Sequence, residues 1–159
     1  MLFKIELAKQ SDMLDLFDLA NDPLVRTNSF NQENLILKDH ERWLAQKLSD
    51  KNCYFYILRQ GIDFVGCVRF DKVGDSEFVI GIQLHKNFRG NGFGAKIIAL
   101  ATQKIYDVKK QILITAYIKK ENKASYKSFV EAGYLFIDDN LFYKNNLCYL
   151  LQKNNFCPT

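Results

Sequence analysis

A chain of 159 residues, 48% of them hydrophobic, suits one domain able to bury a continuous core. Its net charge of +4, from 22 basic and 18 acidic residues, permits anionic small ligands but falls short of the basic bias of a dedicated nucleic-acid binder. No run of roughly 18 apolar residues occurs and MLFKIELAKQSDMLDLF lacks the order of a signal peptide, so a soluble, cytoplasmic protein with no membrane insertion is expected.

In chain order, Phe3 to Leu7 read as a short strand. Ser11 is placed to cap a helix whose apolar residues Met13, Leu14, Leu16, Phe17 and Leu19 recur at helical spacing until Asp22-Pro23. Residues 22–37 are polar with a few apolar anchors and read as an irregular connection, a length more often functional than idle. Lys38 to Leu48 return to helical spacing, with Trp43, Leu44 and Leu48 as the stripe.

Strands follow over Tyr54–Arg59 and Asp63–Lys72, joined by a turn at Gln60-Gly61, and over Glu77–His85 after a turn at Gly74-Asp75. Gly81 inside the last of these suggests a bulge or a close ligand approach. Residues 92–107 read as a helix, Ile112–Ile118 as a strand, and Lys123–Glu131 as a helix ended by Gly133. Tyr134–Ile137 and Leu141–Leu151 complete a mixed α/β domain over residues 1–159, with residues 153–159 as a frayed tail.

Cys53, Cys67, Cys148 and Cys157 show no C-x-x-C spacing and only two histidines accompany them, so no metal site is expected. The first three lie in apolar, strand-like runs and read as buried free thiols in a reducing compartment.

The stretch HKNFRGNGFGAKII, His85–Ile98, sets three glycines between a strand pattern and a helix pattern. A helix N-terminus offers unpaired backbone N–H groups and partial positive charge, and Gly90, Gly92 and Gly94 let backbone approach a phosphate closely. Arg89 adds a guanidinium fork suited to phosphate oxygens. The absence of Gly-Lys-Ser/Thr excludes a P-loop, and the mid-chain order Arg-x-x-Gly-x-Gly is not the dinucleotide fingerprint.

Arg89-x-x-Gly92-x-Gly94 resembles the acetyl-CoA signature of the GNAT acetyltransferases. Asn122-x-x-Ser125-x-x-x-Phe129-x-x-x-Gly133-Tyr134 is similar to that superfamily's second segment. The resemblance implies a mostly antiparallel sheet with a V-shaped split between its fourth and fifth strands, flanked by about four helices. It also implies acetyl-CoA as acetyl donor, with no metal. The pantetheine arm would bond to the free strand edge at Gln83, Leu84 and His85, and the pyrophosphate would rest on Arg89, Gly90, Asn91, Gly92, Phe93 and Gly94. Asn122, Ser125 and Phe129 would complete the cofactor-binding set.

Acetyl transfer to an amine needs the amine neutral, the oxyanion stabilised and a proton for the leaving thiolate. The superfamily's usual acid, a tyrosine seven residues after the motif Asn, is Phe129 here, which leaves Tyr126 as a substitute acid or water as the proton source. The usual glutamate of the fourth strand is Val79. His85 could serve as base near neutral pH or simply sit solvated at the rim, and Glu77 or Asp71 could act through water.

Asn21-Asp22-Pro23-x-Val25-Arg26-x-Asn28-Ser29-Phe30-Asn31, His40-x-x-Trp43 and Gly66-Cys67-Val68-Arg69-Phe70-Asp71 resemble a branch acting on nucleotide-linked amino-deoxysugars, as in pseudaminic-acid-type pathways. In that reading Arg26 and Arg69 pair with phosphate oxygens, Phe30 or Trp43 covers a ring, and Asn28, Ser29 and Asn31 meet sugar hydroxyls. Trp43 and His40 could equally be core residues of their helix, and Asp71 could be a structural partner of Arg69 or a substrate contact. The alternatives are a protein N-terminus, ribosomal protein or polyamine as acceptor, and an acyl-CoA-binding domain without catalysis. A homodimer is compatible with all of them.

Overall fold

The computed structural model describes residues 2–158. Seven strands form one sheet in the order β1-β2-β3-β4-β5-β7-β6. The strands are β1 (Lys4–Leu7), β2 (Cys53–Gln60), β3 (Asp63–Lys72), β4 (Glu77–Leu84), β5 (Leu113–Lys119), β6 (Leu135–Tyr143) and β7 (Asn146–Asn154). The helices are α1 (Met13–Ala20), α2 (Pro23–Asn28), α3 (Leu37–Ser49), α4 (Phe93–Val108) and α5 (Lys123–Glu131). Every strand pair is antiparallel except β4–β5.

Alternation along the strands assigns their two faces to two cores. Tyr56, Leu58, Val68, Phe70, Phe78, Ile80, Ile114, Ala116 and Ile118 pack with Ile97, Ile98, Ala101 and Ile105 of α4 and Phe129 of α5. Phe55, Ile57 and Cys67 face the other way, onto Leu16 and Leu19 of α1 and Leu44 of α3. Leu44 and Ile57 are fully buried, each worth about 2 kcal/mol of apolar transfer.

Several sequence expectations change. Ser11 caps nothing: the α1 segment begins with a short 3-10 turn, and the Lys9 N–H donates to Asp12 Oδ2 at 2.8 Å. Residues 22–37 are not wholly irregular, because Pro23–Asn28 form α2, with the Asp22 carboxylate accepting from Leu24 N and Val25 N. Gly81 carries no bulge, since the β3–β4 register runs unbroken from Gly66↔Leu84 to Lys72↔Phe78. The irregularity sits between Leu58 and Arg59, opposite Gly66, where an added Cβ would come 2.2 Å from Gln83 O.

The C-terminal pair is a hairpin turning at Lys144-Asn145, both at positive φ (46° and 62°), while Asp138 to Leu141 form shifted register inside β6. The tail is ordered further than expected. Lys153 and Asn154 belong to β7, and the Asn155 amide accepts from Ile112 N and donates to Lys109 O. Among the described residues no helix is long and apolar enough to cross a membrane.

Candidate active site

β4 and β5 stay paired for only three residues, Glu77↔Leu113, Phe78↔Ile114 and Val79↔Thr115. Beyond Val79, Ile80–Leu84 keep β3 on one side and have no strand on the other. Beyond Thr115, β5 likewise keeps only β7. The two strands therefore open a wedge whose apex is Val79–Thr115, and backbone groups along it await an extended partner.

The β4 side of the wedge leads into the glycine loop. Gly90 and Gly92 hold φ of 78° and 74°, and a Cβ on either would meet nothing within 4 Å, so their glycines serve backbone conformation in an open loop. Gly92 is the N-cap of α4 and brings no side-chain cap, which leaves the first-turn N–H groups of Phe93, Gly94 and Ala95 without a capping acceptor, an arrangement able to receive an anion. Gly94 has a different reason: its Cβ would lie 2.7 Å from Ser128 Oγ, so it permits close α4–α5 packing. Asn91 precedes the N-cap and Phe93 is the first residue of α4, with its ring packed edge-on to Phe3.

Arg89 does not present a free fork. Its Nε donates to Leu84 O at 2.8 Å and its Nη2 to Asp22 Oδ1 at 2.9 Å, tying the loop to the start of α2. Burial favours the neutral acid of Asp22, but Arg89 and the N–H groups of Val25 and Leu24 together hold its carboxyl below the ordinary range. The Gln83 amide lies beside Cys67 Sγ.

His85 caps the turn Lys86–Phe88, its Nδ1 accepting from Asn87 N. It stands six residues past Val79, roughly 20 Å along the chain at strand spacing, and is remote from the apex. Asn122 caps α5 by accepting from Ser125 N, so both residues serve the helix start. Phe129 is 2% exposed and packs edge-on to Tyr134 inside the core, which removes it from the wedge surface. Tyr126 lies against Tyr149 of β7 (4.3 Å between ring centroids), on the α5 side of the sheet.

On the opposite face, Glu77, Val79 and Gly81 of β4 and Thr115, Tyr117 and Lys119 of β5 point into a trough. At its floor Gln152 Nε2 donates to Thr115 Oγ1, which donates to Glu77 Oε1 at 3.0 Å. Burial first, then the Glu77 charge, raises the Tyr117 phenol above its ordinary value. Glu77 is therefore the carboxylate fixed at the apex, with a phenol beside it.

One wall of the trough is formed by Arg69, whose guanidinium lies 5.0 Å from the Trp43 ring and 5.7 Å from Phe55. Arg69 Nε and Lys47 Nζ both reach Asp71, each at 2.7 Å. Burial pushes the Asp71 carboxyl up, but those two cations bring it below the ordinary range, so Asp71 is a structural partner and a weak base. Arg26 donates to Ala20 O, Asn31 O, Glu33 O and Ser29 Oγ, holding the loop after α2 in shape instead of offering a phosphate contact. Asn28 ends α2 and the Ser29 hydroxyl donates to Val25 O. His40 is 5% exposed, between Phe17 and Trp43.

In the other wall the sequence pointed to Phe30 but not to Lys119, Tyr117 or Tyr143. Lys119, 6% exposed, donates to Thr27 O and Ser29 O and so anchors the end of α2 to β5. Tyr117 stacks on Tyr143 and Phe30 stands edge-on to Tyr143. These contacts join residues more than 80 positions apart in places, and no local pattern announces them.

Among the described residues, no three His, Cys, Asp or Glu side chains gather as a metal site. Residues 4–134 match the family model described as acetyltransferase (GNAT) domain. No curated protein sequence matches the chain. Similar solved structures include spermidine N-acetyltransferase from Vibrio cholerae with CoA and spermine, at 13% identity and TM-score 0.80, covering 94% of this chain and 92% of that one. The AAC(6')-Ib structure with ribostamycin and coenzyme A gives 15% identity and TM-score 0.82, covering 97% and 94%. A third, yncA of Salmonella typhimurium with acetyl-CoA, gives 13% identity and TM-score 0.77, covering 97% and 94%.

Proposed function

Because the chain belongs to the acetyltransferase (GNAT) domain family, we propose that it transfers acetyl from acetyl-CoA to the primary amine of a nucleotide-linked amino-deoxysugar, by direct attack with both substrates bound. The observation that carries the donor half is the wedge that opens after Val79–Thr115 and runs into the uncapped start of α4. An extended amide-bearing arm satisfies the free strand edges, and the first-turn N–H groups receive its diphosphate. The amine then approaches from the trough, where Glu77 can take its proton directly or through water.

The acceptor half is supported by the aromatic surfaces along the trough, Trp43 on one wall and Phe30 and Tyr117 on the other, with Asn28 and Ser29 beside them. Such a lining covers sugar and base faces. A polyamine is the second reading, favoured by a groove of about 640 Å³ beside the glycine loop lined by Asp15, Asp18, Asp22 and Asp63. Asp15 is already paired with Arg59 and Asp22 with Arg89, which halves the charge the groove offers a polycation.

A thiol-release assay with acetyl-CoA and three acceptors, a UDP-linked 4-amino-sugar, spermidine and an N-terminal peptide panel, tests the reading. The nucleotide sugar is expected to give the highest kcat/KM. Preference for spermidine would replace it with the second reading, and failure of acetyl-CoA to bind in calorimetry would remove the donor half.

A further inference from the structure

We propose that Phe30, Tyr143 and the Lys144 ammonium form the subsite that receives the nucleoside diphosphate of the acceptor. This inference rests on the reading of the trough as the acceptor site and identifies the part of it that selects the substrate class.

Three segments distant in sequence build the subsite. Tyr143, the last residue of β6, lies parallel to Tyr117 of β5, with ring centroids 3.8 Å apart and planes 3° apart. Phe30, two residues after α2, meets Tyr143 edge-on at 5.1 Å and 76°. All three rings are only partly buried, so each keeps surface for a ligand. Tyr117 lies toward the apex and Phe30 and Tyr143 lie at the rim, which matches an acceptor with its amine inward and its carrier outward.

Two ammonium groups flank the Phe30 ring, each 5.9 Å from its centroid: Lys119 and Lys144. Lys119 is engaged by Thr27 O and Ser29 O. Lys144 lies 5.4 Å from the Tyr143 centroid and, among the described residues, takes part in no ion pair or side-chain hydrogen bond. It is held out by the β6–β7 turn, where Lys144 and Asn145 both have positive φ. Of the cations named along the trough, Arg26, Arg69 and Lys47 already have internal partners, and Lys144 is the one left for an anion.

An ammonium beside exposed aromatic rings suits a flat base that stacks and a diphosphate that pairs. The same arrangement disfavours a polycation, because a spermidine-like acceptor would bring its charges against Lys144 and Lys119. The rim thus selects by sign as well as by shape.

UDP itself is the probe. Calorimetric titration of the protein with UDP should show binding that weakens tenfold or more in Lys144→Glu and in Tyr143→Ala, and that falls more steeply with added salt in the wild type than in Lys144→Glu. Lys104→Glu makes the same charge change on the exposed side of α4 and should leave UDP binding unchanged. Acetyl-CoA affinity, measured in parallel, should be the same in all variants, which shows that each is folded. Where a nucleotide sugar turns over, Lys144→Glu should raise its KM tenfold or more, and UDP should compete with the acceptor. Turnover of the nucleotide sugar with UDP binding and KM unaffected by both variants overturns the subsite while leaving the proposed function standing. UDP binding lost in Lys144→Glu without turnover of any nucleotide sugar supports the subsite and overturns the acceptor reading. No UDP binding by the wild type overturns the subsite outright.

Discussion

The Asp22 carboxylate accepts from two backbone N–H groups at the start of α2 and, 2.9 Å away, from Arg89 of the glycine loop, 67 residues later in the chain. At the other end of the same helix Lys119 of β5 holds the carbonyls of Thr27 and Ser29. α2 is too short to be stable alone. Pinned at one end to the β4 side and at the other to β5, it spans the open part of the wedge and forms a wall of the trough. Asp22→Ala removes a cap and leaves a half-buried guanidinium without its partner, so a loss of about 1–3 kcal/mol is expected in urea unfolding. Lys119→Met should raise the acceptor KM more than it changes acetyl-CoA affinity. Equal effects on both ligands would show that α2 serves the whole wedge alike.

Gly92 and Gly94 should respond differently to alanine. At Gly92 the φ of 74° is strained for any residue with a Cβ, by about 1–2 kcal/mol, and the start of α4 should relax with a fall in acetyl-CoA affinity. At Gly94 the backbone is ordinary helix but the new methyl meets Ser128 Oγ at 2.7 Å. Its cost should therefore largely vanish in the Gly94→Ala, Ser128→Gly pair, whereas Gly92→Ala should gain nothing from Ser128→Gly. Thermal melts of the double-mutant cycle decide it.

The loop itself was legible because glycine order at a strand-to-helix junction is a local signal. α2 was missed although Asp22-Pro23 is a proper start signal, an N-cap followed by proline at the first helical position. Read from the preceding helix, the same pair is a stop, and six residues give no period to correct the error. Asp138-Asp139-Asn140 reads as a turn, yet tertiary pairing with β7 absorbs it as irregular strand, and the real turn comes four residues after Asn140, where Lys144 and Asn145 accept positive φ. The Arg69–Asp71 pair, two residues apart on one strand face, was legible as the structural alternative, whereas Arg26 holds partners 3 to 7 residues away in an irregular loop, and there the sequence shows the charge without showing what it already holds.

His40 gives a pH signature. Its ring lies between Phe17 and Trp43, Nε2 has no hydrogen-bond partner, and burial first, then the Arg26 charge, lowers its affinity for a proton. The unfolded chain protonates this group near pH 6.5 while the folded chain does not. Stability from this source is therefore complete above pH 6.5 and lost as pH falls toward the depressed folded value. Asp22 and Asp71, depressed in the fold, hold their contribution above about pH 4 and lose it below. Urea midpoints between pH 7 and 5 should fall for the wild type and stay flatter for His40→Phe, with both losing stability below pH 4. Parallel slopes from pH 7 to 5 would assign the loss elsewhere.

The trough holds two carboxylates that differ in what surrounds them, and the difference divides chemistry from structure. Asp71 is bound by Arg69 and Lys47, and removing its charge leaves two cations without a partner. Asp71→Asn should therefore lower stability and act on turnover only through folding. Glu77 accepts from Thr115, itself held by Gln152, at the apex where β4 and β5 part. Glutamine at 77 still accepts that hydrogen bond, so Glu77→Gln should keep the melting temperature and the acetyl-CoA affinity. If Glu77 removes the amine proton, kcat/KM for the acceptor should fall by about a hundredfold or more at neutral pH, and the deficit should shrink as pH rises and the free amine supplies itself. Tyr126, on the far face against Tyr149, should tolerate phenylalanine with less than about a twofold change, because a general acid must reach the reacting group. A large loss in Tyr126→Phe together with a silent Glu77→Gln would place the proton chemistry on the α5 face instead of the trough.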